Sequence, residues 1–222
     1  MESVASQKDK VVLCTGANSG LGWYYTKFMV QKGARVIMAC RSIEKGTLAA
    51  EEISKELKDV AVEEKGDMIV MKLDLSSLAS VRGFSEEVTK RFERIDVLCN
   101  NAGVMALETR ELSEDGFEMQ LASNHLGHFA LTGLLLTLIE KSPTGRIVNV
   151  SSFYHKKTRA GISFQDINFS GEKVAYERWE AYAQSKLANI LFTKELVKRL
   201  EKKGSHVMAV AAHPGMQLHH RD

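Results

Sequence analysis

Proline is nearly absent from this 222-residue chain, with Pro143 and Pro214 the only two, and no Pro-, Gly- or Ser-rich stretch divides it. A linker between separate domains is therefore not expected, and one domain spanning 1–222 is the working reading. Cysteine is scarce too: Cys14, Cys40 and Cys99 each close an apolar run and none stands in a C-x-x-C spacing. Neither a disulfide framework nor a zinc site is implied, and the three read as buried thiols in a reducing compartment. There is no excess of one charge, since 30 Lys and Arg against 28 Asp and Glu leave +2; so small and dispersed a balance argues against nucleic acid as a partner. No run reaches the roughly 18 apolar residues of a membrane span. The most apolar segment, Leu126 to Ile139, is broken by His128, Thr132 and Thr137, and polar Met1 to Lys10 lacks the apolar core of a signal peptide. A soluble, cytoplasmic protein without a transmembrane segment is the expectation.

What is present is globular: 44% hydrophobic and 26% charged residues suffice for a sizeable core. Short β-rich runs at Val11–Cys14, Arg35–Ala39, Met68–Leu73, Val97–Asn100, Arg146–Val150 and His206–Ala211 alternate with helical patterns. The helical segments are Leu21–Lys32, Ile43–Leu57, Leu78–Glu93, Phe117–Glu140 and Trp179–Lys202, long enough for the crossovers that parallel strand pairing requires. This predicts an α/β, Rossmann-like, three-layer domain with a doubly wound parallel sheet. Ligands of such sheets bind beyond the carboxyl ends of the strands, where the strand order reverses. Met29, Met38, Met68, Met71, Met105 and Met119 fall at apolar element positions and read as core.

At the end of the first strand, Thr15-Gly16-Ala17-Asn18-Ser19-Gly20-Leu21-Gly22 runs into a helix. Glycines there permit a tight turn and close approach of a pyrophosphate, whose charge is favoured by the unpaired N–H groups of a helix N-terminus. Glycines at 16, 20 and 22 give G-x-x-x-G-x-G, and three further motifs follow in order. Asn100-Asn101-Ala102-Gly103 ends the fourth strand, Ser151-Ser152 closes the fifth, and Tyr182-Ala183-Gln184-Ser185-Lys186 places Y-x-x-x-K on a helix. With Asn124 and His213-Pro214-Gly215, this pattern resembles the short-chain dehydrogenase/reductase family over about Lys10 to Met216. Ala39-Cys40-Arg41-Ser42, Asn124-His125-Leu126-Gly127-His128-Phe129 and Ser185 to Phe192 look like its retinol-dehydrogenase-like members, a group that includes the WW-domain oxidoreductase. The gap of 182 − 152 = 30 residues between Ser152 and Tyr182 is similar to the insertion of that subgroup.

The resemblance implies a nicotinamide cofactor held by Gly16, Asn18, Ser19, Gly20, Leu21 and Gly22, by Asp74 and Leu75 at the adenine, by Asn101, Ala102 and Gly103, by Tyr182 and Lys186, and by Pro214 and Gly215. Where relatives that use NAD carry an acid after the second strand, this chain has Arg41. A guanidinium can pair with a 2′-phosphate in fork geometry, so NADP(H) is expected. The implied catalytic set is Asn124, Ser152, Tyr182 and Lys186. Tyr182 and Lys186, four apart, share a helix face. An ammonium beside a phenol stabilises the phenolate, and the expectation is a lowered Tyr182 pKa. No histidine spacing suits a metal or a Ser-His-Asp triad. The expected function is interconversion of an apolar alcohol and its aldehyde or ketone, of retinoid, steroid or lipid kind. Relatives pair through helices corresponding to Phe117–Glu140 and Trp179–Lys202, so a homodimer is an expectation. After Pro214-Gly215-Met216, where the resemblance implies a lid, another helix and a seventh strand, this sequence has only Gln217 to Asp222, so an apolar edge at the sixth strand and an intermolecular contact are expected. A cofactor-binding but inactive sensing or interaction module is the alternative.

Overall fold

A computed structural model describes residues 4–61, 65–171 and 173–215. Met216 and the tail 217–222 lie outside these. In chain order the elements are β1 (Val11–Thr15), α1 (Gly20–Gln31), β2 (Arg35–Cys40), α2 (Ile43–Glu56), β3 (Met68–Lys72), α3 (Leu78–Arg91) and β4 (Val97–Asn100). There follow α4 (Met119–Leu121), a π-helical turn (Ala122–Leu126), α5 (Gly127–Glu140), β5 (Arg146–Val150), a 3₁₀ turn (Phe153–Lys157), α6 (Arg178–Lys203) and β6 (Met208–Ala212). The six strands form one parallel sheet in the order β3-β2-β1-β4-β5-β6. Strand order reverses between β1 and β4, which places the crevice of a Rossmann-like sheet beyond Thr15 and Asn100.

The strands read as near-continuous apolar runs because both faces of the sheet are covered. Successive residues point to opposite faces, so Leu13, Ile37, Leu98 and Ile147 pack with Val81, Phe84 and Val88 of α3, Leu131, Leu135 and Ile139 of α5, and Leu196 and Leu200 of α6. Val12, Cys14, Val36, Met38 and Cys40 meet Trp23, Met29 and Val30 of α1 and Ala49 and Ile53 of α2 on the opposite face. Each large side chain so buried contributes roughly 1.5–3 kcal/mol. The Ser42 and Ser77 hydroxyls fix the starts of α2 and α3 by accepting from Lys45 N and Ser80 N.

Three local expectations need correction. The helix expected over Phe117–Glu140 begins at Met119, where the buried Glu118 carboxylate caps it by accepting from Gln120 N and Leu121 N, and it contains the π turn. β6 starts at Met208 because His206 turns aside to bond the Ser142 carbonyl, 2.6 Å away. Met105 is 59% exposed, lying in the loop after β4 instead of a core element. The three thiols are free and buried as expected, with Cys14 in register beside Cys99, but Cys40 also receives the Ala17 and Asn18 amides at its sulfur. At the open edge of the sheet, Met208 and Val210 of β6 are partly exposed. No helix among the described residues is long and apolar enough to cross a membrane.

Candidate active site

β1 and β4 are stitched together where they end. The Asn101 and Ala102 amides both donate to Thr15 Oγ1 at 2.9 Å, and Asn101 Nδ2 donates to the Thr15 carbonyl at 2.9 Å. Gly16 turns the chain away at φ +65, its amide donating to the Ala39 carbonyl. A Cβ on Gly22 would lie 2.2 Å from the Gly16 carbonyl oxygen and 2.7 Å from Asn101 Nδ2, so only glycine lets α1 start this close to the turn. No side chain caps α1, and the space at the Gly20 Cβ position is open. An uncapped helix N-terminus facing open space fits a pyrophosphate. Asn18, Ser19 and Leu21 lie in this turn, all at least partly exposed.

At the other wall of the crevice, α6 carries Tyr182 and Lys186 on one face. Lys186 is 4% exposed, donates to the Val150 carbonyl at 3.3 Å, and holds its ammonium 5.6 Å from the Tyr182 ring centroid. A Cβ on Gly103 would lie 3.3 Å from Lys186 Nζ and 2.9 Å from Asn124 Oδ1, so glycine keeps the β4 loop against both. Asn124, in the π turn, clamps that loop: Oδ1 accepts from Val104 N at 2.8 Å, while Nδ2 donates to the Val104 carbonyl and to Ser185 Oγ at 2.9 Å. Its carbonyl lies against Asn189 Nδ2 and His128 Nδ1, each at 3.1 Å. Two side-chain partners on one carbonyl account for the locally widened helix.

Burial lowers the Lys186 pKa to about 8. Tyr182 departs from expectation, for its pKa is raised: burial dominates, and the hydrogen bond with Ser152 opposes it. The reason is geometric, since Lys186 bonds Val150 and lies over the ring instead of at the hydroxyl. The two serines part company here. Ser151 is buried and donates to the Lys186 carbonyl at 2.8 Å, whereas Ser152 keeps its hydroxyl for Tyr182 and the Tyr154 amide.

Between the pH at which buried Lys186 titrates and its ordinary 10.5, the unfolded chain holds the proton and the folded chain does not. Stability attributable to Lys186 therefore rises with pH across that window, and the full penalty is present below it. Lys186→Met should be more stable than the parent at pH 7 by on the order of 2–3 kcal/mol. The difference should shrink between pH 8 and 10. Cys40, pushed up to about 11, acts oppositely above pH 9 but is common to both chains. Denaturant melts at pH 7, 8 and 9.5 check this; a difference that does not change with pH contradicts it.

The remaining positions are less closely tied. Arg41 is exposed immediately after β2, and no ion pair among the described residues engages it. Asp74 Oδ1 accepts from the Ser76 amide and hydroxyl, and Leu75 is buried. Pro214 and Gly215 are exposed beyond β6, next to His213, whose ring centroid lies 6.5 Å from that of Phe153. Asn100 braces neighbouring elements through Thr132 and Asn149.

Three features escaped the sequence reading. Tyr154 stacks on Trp179 at 4.8 Å and both meet the Tyr182 ring edge-on, forming an aromatic wall. Gln120, fully buried, ties Ala106 to Tyr176 and Arg178. His128 joins Thr15 to Asn124. The spacing of Trp179 one turn before Tyr182 was a signal for the first; no local signal marks the other two.

The short chain dehydrogenase family model matches residues 10–164. Human retinol dehydrogenase 14 is 46% identical over 214 residues, covering 93% of this chain and 61% of the relative. Human retinol dehydrogenase 11 is 48% identical over 206 residues, covering 93% and 60%. The chain thus spans about three fifths of the length of these curated relatives. Among solved structures, an uncharacterised protein from Mycobacterium paratuberculosis superposes with a TM-score of 0.81 at 43% identity, over 97% of this chain and 72% of that one. An active-site complex of Pseudomonas aeruginosa RhlG with NADP superposes with a TM-score of 0.68 at 27% identity, over 91% and 70%.

Proposed function

Because this chain belongs to the short chain dehydrogenase family, on its retinol-dehydrogenase-like side, we propose that it is an NADP(H)-dependent oxidoreductase interconverting an apolar alcohol and its aldehyde or ketone. The observation that carries this reading is the meeting of Tyr182 with Ser152 and with a buried Lys186 whose ammonium also lies against Gly103 in the loop after β4. NADP(H), when bound, supplies or accepts the hydride. Gly16, Gly20 and Gly22 with Asn18, Ser19 and Leu21 would hold its pyrophosphate, Asp74 and Leu75 its adenine, Asn101, Ala102 and Gly103 its ribose side, and Pro214 and Gly215 its nicotinamide end.

In the reducing direction the substrate carbon gains a hydride and its oxygen takes a proton from the Tyr182 phenol; in the oxidising direction both steps reverse. Ser152 Oγ donates a hydrogen bond to the same oxygen, stabilising the charge that develops there. Lys186 supplies positive charge beside the phenol, and Asn124 holds the Gly103–Val104 loop in place. The aromatic wall of Tyr154 and Trp179 supports an apolar substrate, as do the names of the relatives, retinol dehydrogenases 11 and 14. NADPH oxidation followed against a panel of retinal, steroid ketones and simple aldehydes tests the reading; no turnover with any of them counts against it.

Arg41 is the cofactor discriminator in this reading. A charge-assisted bond to a 2′-phosphate is worth roughly 1.5–3 kcal/mol. Arg41→Ala should therefore weaken NADPH binding about 10–100-fold and leave NADH almost unchanged. Titration of both dinucleotides by fluorescence checks this. Equal losses for the two would remove Arg41 from the phosphate.

A further inference from the structure

His128 is 2% exposed and lies on α5 between the two halves of the crevice. Its Nε2 is 2.8 Å from Thr15 Oγ1 and its Nδ1 is 3.1 Å from the Asn124 carbonyl oxygen. Two independent constraints assign one tautomer. The Asn124 carbonyl can only accept, so Nδ1 carries the proton. Thr15 Oγ1 already accepts from the Asn101 and Ala102 amides, so its own proton goes outward, and Nε2 accepts it. The Cys99 carbonyl, at 3.4 Å, is the poorer acceptor. A second ring proton would oppose the Thr15 hydroxyl, and burial, with Lys186 and His125 nearby, holds the ring neutral.

We propose that His128 is a positioning residue. Its imidazole bridges the Thr15 hydroxyl, which carries the Asn101–Ala102 loop, to the Asn124 carbonyl, whose side chain clamps the Gly103–Val104 loop beside Lys186. One ring thus sets the spacing between the cofactor cradle and the ammonium. The inference deepens the function proposed above and rests on it for its kinetic consequence, while the bridge itself is testable without turnover.

The two halves of the bridge can be removed separately. In His128→Asn the amide nitrogen replaces Nδ1 and keeps the Asn124 bond while losing Thr15. In His128→Gln the amide oxygen replaces Nε2 and keeps the Thr15 bond while losing Asn124. His128→Leu loses both. NADPH dissociation constants by fluorescence should rise about tenfold in the Asn and Leu variants and stay within about threefold in the Gln variant. The pH midpoint of alcohol oxidation should move upward in the Gln and Leu variants and hold in the Asn variant. The titratable groups facing the Tyr182 phenol, Tyr154 and Lys186, are the same in all three. Nitrogen NMR of the cofactor-free protein should show His128 as a single neutral Nδ1–H tautomer from pH 5 to 8, on the order of that range.

Loss of both properties alike in the Asn and Gln variants, a folded Leu variant that changes neither, or a ring that titrates in that range would overturn the proposal. If the Leu variant does not fold, the two half-variants decide. Wild-type protein that binds NADPH with the expected variant pattern but turns over no substrate would sink the proposed function and leave the bridge standing.

Discussion

Tyr182→Phe is expected to reduce turnover by about 10²–10⁴-fold, the range for removing a positioned general acid, while NADPH affinity stays within about twofold. The substitution removes one oxygen and keeps a ring that packs edge-on against Tyr154 and Trp179. Folding should be little affected, because the lost hydroxyl has Ser152 as its partner, and that serine can still accept from the Tyr154 amide. The raised pKa of Tyr182 keeps the phenol protonated at neutral pH, which suits proton donation in the reducing direction. Oxidation requires the phenolate, so the oxidative rate should climb with pH toward the raised pKa of Tyr182. Steady-state kinetics in both directions, with fluorescence titration of NADPH, checks the substitution; a variant retaining a tenth or more of parental turnover, roughly, would remove Tyr182 from the chemistry.

Gly22→Ala should remove cofactor binding to a comparable extent. The added methyl would sit 2.2 Å from the Gly16 carbonyl oxygen, a backbone atom, and 2.7 Å from Asn101 Nδ2. Neither contact can be relieved by turning a flexible side chain: Gly16 is anchored to Ala39 and Asn101 to Thr15. α1 must shift away from the turn, carrying its N-terminal amides out of reach of a pyrophosphate. A loss in NADPH affinity of about 100-fold or more is expected, equivalent to roughly 2.7 kcal/mol, with a lowered melting temperature. Gly20→Ala is the control for the fall in melting temperature, since no protein atom lies within 4 Å of its Cβ position; only its φ of +52 disfavours a side chain, by about 1–2 kcal/mol. Equal NADPH affinity in Gly22→Ala and the parent would mean that the close approach has no bearing on binding.

Much of this was legible in the sequence because local period and tertiary role agree. β1, β2 and β4 are short β-rich runs covered on both faces, and each is followed by a turn with its own residues, the glycines after β1, Ser42 after β2 and Asn101 to Gly103 after β4. The π turn was not legible. Leu121 to Phe129 keeps a helical pattern, and the widening depends on Asn189 and His128 meeting one carbonyl. Ser152 could be chosen over Ser151 by register with relatives, but what separates them physically is the Lys186 carbonyl, which accepts a hydrogen bond from the Ser151 hydroxyl across 35 residues of chain. The direction of the Tyr182 shift was misjudged for a similar reason. A four-residue spacing places Lys186 beside the ring, yet only packing reveals that its ammonium is drawn to Val150 and that burial of the phenol prevails. The Thr15–His128 contact spans 113 residues and has no periodic signature.

Transfer of deuterium from NADPH labelled at the nicotinamide C4 position tests the central claim most directly. The wild-type protein, given the labelled cofactor and the apolar carbonyl compounds of the panel, should yield an alcohol carrying the deuterium on its carbinol carbon by mass spectrometry, and the Tyr182→Phe protein almost none. Binding of the labelled cofactor with no deuterium in any product would contradict the account and leave a chain that holds a dinucleotide without using it.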